Sequence, residues 1–216
     1  LSTYLTSLET ELKKRLNNYP YTPWGRKQGD DWDRKTNFIY RTSYWDNLRR
    51  IVDDMPEELR HYAINRWFNY WSAMGVETIF CDLPGVIAAK NPKDRLVDFT
   101  IQGIKFDHKT TVFPGGYQQS PRFAAINPQH LTTWLYQNQS TEKRYHTANR
   151  LFVVLHDDKG EHWKLRAELS VIKQQVEQYI RDFAPERLIS LSLDGSEVLT
   201  DVIWVPNEPQ ATIASH

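Results

Sequence analysis

The chain has 216 residues, 27 Lys+Arg against 27 Asp+Glu, 40% hydrophobic and 25% charged content. That balance excludes a disordered chain and a protein that coats nucleic acid by bulk electrostatics, though a local basic cleft stays compatible with it. A single cysteine, Cys81, excludes an internal disulfide and a cysteine-based zinc cluster.

No apolar run reaches bilayer-spanning length and no signal-peptide pattern is present, so the expected location is cytoplasmic and no membrane partner is expected. Leu1 in place of methionine reads as an edge left by a missing start residue or tag. The length fits one domain over 1–216. Within it we expect a helical and irregular N-terminal extension (1–55), a core (56–182), and a C-terminal hairpin and tail (183–216).

Leu5, Leu8, Leu12 and Leu16 form a helical stripe. Lys13, Lys14 and Arg15 close it, where cations suit the helix dipole better than they suit DNA. Residues 19–37, rich in Pro, Gly, Asp and Lys, predict a long irregular connection, and a short helix is expected over 43–52. Pro56-Glu57-Glu58 opens another helix, with proline and acids in its first turn. Ile64, Trp67, Phe68, Trp71 and Met74 put its aromatic residues in the core. After Gly75, Val76 to Cys81 predicts a strand.

Residues 95–113 carry the most informative pattern. Val97, Phe99 and Ile101 alternate with Asp98 and Thr100, and Ile104 and Phe106 alternate with Lys105, Asp107 and Lys109. Gln102-Gly103 fits a two-residue hairpin turn. That register sets Asp98 opposite Asp107, with Lys109 further along the same face. Opposed like charges destabilise a sheet, and a divalent cation would offset the cost. His108, on the other face, is expected as a satisfied core histidine.

Gly115-Gly116 follows this strand, and its glycines allow close backbone approach to a phosphate. Residues 127–138 predict a helix with Leu131, Trp134 and Leu135 inward. Leu151 to Leu155 reads as a central strand buried on both faces. Leu165, Leu169, Ile172, Val176, Tyr179 and Ile180 give an amphipathic helix, and 188–205 a hairpin around Asp194-Gly195. From Pro56 the expected order is helix, three strands, helix, strand, helix.

Asp98 followed by Asp107-x-Lys109 on a hairpin, in this order of elements, resembles the PD-(D/E)XK phosphodiesterase superfamily, the restriction endonuclease-like nucleases. The resemblance spans roughly 56–157. Val97 stands where the family has proline, and Asp107 where glutamate is more usual. Glu11-x-Lys13, Asp33-x-Lys35 and Asp157-x-Lys159 match the short pattern too, but none lies on a strand opposite a second acid. The resemblance implies an α/β (α+β) fold with an αβββαβ core, a mixed sheet flanked by helices, and a metal-dependent nuclease acting on DNA. Asp98, Asp107 and Lys109 would be catalytic. Asp98, Asp107 and the His108 backbone carbonyl would ligate Mg²⁺, for which Mn²⁺ would substitute, with Glu77 as a further candidate ligand. Gln118, Gln119 and Arg122 are candidate substrate contacts, and Lys143, Arg144 and Arg150 are further basic candidates for phosphate. Many members of the family cut duplexes as dimers, so a homodimer is compatible, although no segment identifies an interface.

Two other readings compete. One is a catalytically inactive nucleic-acid-binding or interaction module on the same fold. The other is an unrelated α/β binding protein with a solvated charge ladder of Lys105, Asp107 and Lys109. Metal binding at the two aspartates discriminates them from the nuclease.

Overall fold

The computed structural model describes residues 1–20, 22, 31–89, 97–138, 148–193 and 195–207. Contacts divide the chain into two compact units: residues 1–78 with 166–170, and residues 79–165 with 171–216. The division falls inside one helix, between Thr78 and Ile79.

The first unit is helical. Helix α1 (Thr3–Asn18) is capped by Ser2, whose side chain accepts from the Leu5 N–H, and buries Leu5, Leu8 and Leu12. Its basic triplet is engaged within the protein. Lys13 pairs with Glu9 and Glu168, and Lys14 with Glu11. Arg15 is buried, its guanidinium 5.6 Å from the Tyr19 ring centre and 5.4 Å from that of Phe68. A short α2 (Asp31–Lys35) occupies part of the expected irregular connection, and α3 (Trp45–Val52) is the expected short helix. Arg66 holds this region together, donating to the Asp33 carbonyl, Thr36 Oγ1, Asn37 Oδ1 and Tyr40 OH.

Helix α4 (Glu57–Cys81) runs six residues beyond Gly75, so Val76 to Cys81 is helical and not the expected strand. Two observations explain the difference. Ser72, Gly75, Val76, Ile79 and Phe80 are buried while Glu77 and Thr78 are only partly so, which is a helical period. Gly75 is there for close approach: a Cβ on it would lie 2.9 Å from Leu169 Cδ1 and 3.3 Å from Leu8 Cδ2.

The second unit is built on one mixed six-stranded sheet. Its strands are β1 (Val86–Ala88), β2 (Phe99–Ile101), β3 (Ile104–Val112), β4 (Arg150–His156), β5 (Ile189–Leu193) and β6 (Ser196–Pro206), in the order β1-β2-β3-β4-β6-β5. β1, β2 and β3 are successively antiparallel, β3, β4 and β6 are parallel, and β5 returns antiparallel on β6. The parallel step from β3 to β4 requires a crossover, supplied by α5 (Pro121–Ile126) and α6 (Pro128–Asn138). Helix α7 (Leu169–Arg181) follows β4, after a 3-10 turn over His162–Ala167. The order helix, three strands, helix, strand, helix is therefore present, with β1 in the place expected of Val76–Cys81.

Strand β4 is buried along almost its whole length, as its unbroken apolar run requires between two parallel neighbours. One face packs Phe152, Val154 and Val198 against Leu131, Leu135 and Tyr136 of α6. On the other face Tyr179 of α7 donates to Asp201 of β6 at 3.0 Å. Asp194 of the last hairpin, and Lys143 and Arg144, lie outside the described residues.

Candidate active site

The hairpin has the expected register: Ile101 opposite Ile104, Thr100 opposite Lys105, Phe99 opposite Phe106. Both turn residues adopt positive φ, Gln102 at 47° and Gly103 at 84°, the conformation of a two-residue type I′ connection. Beyond Phe99 the ladder is irregular, because the Asp98 N–H donates to the Phe106 carbonyl. The expected face-to-face pair of Asp98 and Asp107 is therefore not a rung of the ladder. Strand β2 starts at Phe99, two residues after the expected Val97.

Each aspartate has its own protein partner. Asp98 Oδ2 accepts from the His108 N–H at 2.8 Å and lies 2.6 Å from His108 Nδ1. The His108 side chain is almost fully buried beside the stacked rings of Phe99 and Phe80, with Nδ1 on Asp98, which agrees with the core position that strand alternation predicts. Asp107 is paired across the parallel ladder with Arg150, whose Nε is 2.5 Å from Asp107 Oδ2. The guanidinium lies 5.5 Å from the Tyr136 ring centre and 5.9 Å from that of Phe152. Tyr136 is held in turn by donating to the Ala148 carbonyl. The cost of two nearby carboxylates is thus offset inside the protein. Their repulsion gives no argument of its own for a metal ion, contrary to the sequence-based expectation.

Burial and neighbouring charge move all three motif groups. Burial pushes the Asp98 carboxyl up, but the hydrogen bonds and charge of His108, with Arg150, hold it below its usual range. Burial raises Asp107; Arg150 pulls it down, yet the net shift is upward, with the Asp98 charge contributing. Burial lowers Lys109, Arg150 lowers it further, and Asp107 opposes them only in part.

Asp107, His108 and Lys109 therefore occupy the middle of β3, with Asp98 held on His108. Gln118, Gln119 and Arg122 are not among them. They are exposed and follow Phe113, which is six strand residues from Asp107, roughly 20 Å at about 3.3 Å per residue. Gly115 has nothing within 4 Å of where its Cβ would stand. Glu77 sits near the end of α4 and not on a strand, three residues before Phe80, and so shares the helix face of that residue. Arg150, expected among the phosphate contacts, spends its charge on Asp107. Asp157-x-Lys159 forms the expected turn, with the Gly160 N–H donating to the Asp157 carbonyl. Asp33 and Lys35 lie on α2 and not in a loop.

Asn149 has a role that its sequence gave no reason to expect. Its Nδ2 donates to the Lys105 carbonyl, its Oδ1 accepts from the Leu199 N–H, and its carbonyl accepts from the Asp107 N–H. One side chain and one carbonyl thereby tie β3 and β6 to the start of β4 beside the motif. An Asn before an apolar run is the only local signal.

The donor set fits a hard cation in one respect. Asp98 Oδ1 and Asp107 Oδ1 take no part in the bonds to His108 and Arg150 described above, which leaves each carboxylate an oxygen for a ligand. No described helix is long and apolar enough to cross a membrane. Compared with family models, curated proteins and solved structures, the chain matches none.

Proposed function

We propose that the chain is a metal-dependent nuclease of the PD-(D/E)XK type, hydrolysing phosphodiester bonds with DNA as the expected substrate. The observation that carries this reading is that Asp98, bound to the His108 N–H, interacts with Asp107, and Asp107 with Lys109, in the middle of β3, in a unit whose elements follow the order αβββαβ. Asp98 Oδ1 and Asp107 Oδ1, with the His108 carbonyl, would hold Mg²⁺ or Mn²⁺. Such an ion, when bound, supplies Lewis-acid polarisation and a more acidic water.

The protein's own residues then have distinct tasks. His108 fixes Asp98 through two contacts to a single oxygen, which leaves the other oxygen directed away from them. Arg150 fixes Asp107 from β4 through a single contact, Nε to Oδ2. Lys109, with a lowered pKa, is suited to exchange a proton with an attacking water. In the hydrolysis, water oxygen bonds to phosphorus, the bond to the leaving oxygen breaks, and that oxygen takes a proton.

The pairing of both carboxylates favours a second reading, an inactive binding module on the same fold, because the site is charge-balanced without any ion. One experiment separates the two. Plasmid, linear duplex, single-stranded and branched DNA are incubated with Mg²⁺ or Mn²⁺, using wild type, Asp107→Ala and Lys109→Ala. Calorimetric metal titration runs alongside. Cleavage lost in both folded variants supports the nuclease. DNA binding without cleavage, and without metal uptake dependent on Asp98 and Asp107, supports the module instead.

A further inference from the structure

Strand β5 forms one edge of the sheet and, among the described residues, pairs with β6 alone. Its sequence, Ile189-Ser190-Leu191-Ser192-Leu193, has no charge and no proline, and its ladder with β6 is regular. Edges of this kind are normally blunted by charges, bulges or shortness. The opposite edge, β1, is short, with three residues.

The hydrogen-bond phase of β5 follows from its register. The pairing Leu193–Ser196 closes a two-residue connection, whose flanking residues exchange both bonds. Leu193, Leu191 and Ile189 therefore turn their N–H and C=O groups toward β6. Ser190 and Ser192 turn theirs outward. An independent bond agrees with this phase: the Leu199 N–H, opposite Ser190, points away from β5 to Asn149 Oδ1.

We propose that β5 is a self-pairing edge, through which two copies of this chain join antiparallel about Leu191 into one continuous sheet. In that arrangement Ser190 faces Ser192 of the second copy, and each such pair exchanges both N–H···O bonds with the outward groups. Ile189 faces Leu193 of the second copy, on the side where α6 packs. The strand reads apolar-polar-apolar-polar-apolar in both directions, so the two-fold pairing brings like to like with no charge opposed. A shallow groove lined by Ile126, Pro128, Trp134, Gln137 and Ile189 lies beside this edge. Ile126 is 71% exposed there and gains cover from the second copy. The inference stands apart from the nuclease reading, since none of these residues belongs to that site.

Sedimentation velocity and light scattering of the full chain test it. Wild type is expected at twice 25.5 kDa. Ser192→Pro removes an outward N–H that no β5–β6 bond uses, which an edge strand tolerates. It is expected at the monomer mass with a single cooperative melting transition, no longer dependent on protein concentration. If that variant does not fold, Ser190→Lys combined with Ser192→Lys sets like charges opposite each other across the axis without altering the backbone. A monomeric wild type at high micromolar concentration overturns the proposal. So does a dimer that persists in whichever of these variants folds.

Discussion

Asp107 and Arg150 are 43 residues apart in sequence and direct neighbours on parallel strands, joined by a 2.5 Å contact between Oδ2 and Nε. Both side chains are largely buried, at 19% and 10% exposure. Each group therefore depends on the other to remain charged away from water. The aromatic rings of Tyr136 and Phe152 limit where the guanidinium can move, so the pair also fixes the direction of the Asp107 carboxylate.

Arg150→Met should be strongly destabilising, by about 3–5 kcal/mol, because it leaves a buried carboxylate unpaired. Adding Asp107→Asn should recover a large part of that loss, since the uncompensated charge goes with it. Urea denaturation of the four proteins in a double-mutant cycle measures the coupling. Additive losses would mean that the two charges do not depend on one another.

Asp98 should contribute to the loss of stability in acid. Its folded-state pKa is depressed below the usual 3.8, burial being outweighed by His108 and Arg150. A depressed acid contributes stability above its unfolded pKa and loses that contribution as pH falls through the folded value. Asp98→Asn keeps an acceptor for the His108 N–H but removes the charge. The variant should be less stable than wild type at pH 7, and the gap should close as pH drops below about 4. Thermal melts from pH 7 to pH 3 test this, and a gap that stays constant would count against it.

The hairpin from Phe99 to Phe106 was legible because that geometry is local: alternation fixes faces, and Gln102-Gly103 fixes the register. The position of Asp98 was not, because the ladder is irregular beyond Phe99. Strand β4 was legible because parallel burial demands an unbroken apolar run. The pairing of Arg150 with Asp107 was not legible, because the parallel register across a helical crossover depends on packing that no short window contains. Val76 to Cys81 misled for a different reason. Valine, threonine, isoleucine and phenylalanine favour strands, and Gly75 resembles a helix stop, but burial along α4 overrides both preferences. Strand β1, three residues long, is too short for any period to show. Gln118 and Gln119 follow β3 beyond its C-terminal end, a position that the strand's direction alone sets.

Gly75 should not tolerate even a methyl group without cost. A Cβ there would stand 2.9 and 3.0 Å from the two Leu169 methyl carbons and 3.3 Å from Leu8 Cδ2. Alanine is the better helix former by about 1 kcal/mol, so on propensity alone Gly75→Ala would stabilise α4. Overpacking costs about 1–3 kcal/mol, and here the sterically crowded side should win. Chemical denaturation should show a net loss for Gly75→Ala. Trimming Leu169 to Val in the same chain should reverse its sign by making room.

The clearest pH-dependent gain should come from Asp201, which lies two strands over from His108, on the same rung through Leu151. Burial raises its pKa, and the Val202 N–H and Tyr179 hydroxyl offset this only in part. For an acid whose folded pKa is raised, the ionised form is the disfavoured one in the folded state. Wild type therefore loses stability as pH rises from the unfolded pKa through the folded one, and carries the full penalty at neutral pH. Asp201→Asn removes the ionisation and keeps a polar partner for Tyr179. It should melt higher than wild type at pH 7, with the difference shrinking toward pH 4. Tyr179→Phe acts in the opposite direction, deleting a donor to a buried carboxylate, and should cost about 1.5–3 kcal/mol at pH 7. In the Asp201→Asn background the same tyrosine change should cost less, because the group left without its donor is then neutral. Equal costs in the two backgrounds would show that the Tyr179 hydroxyl does not act through the Asp201 charge.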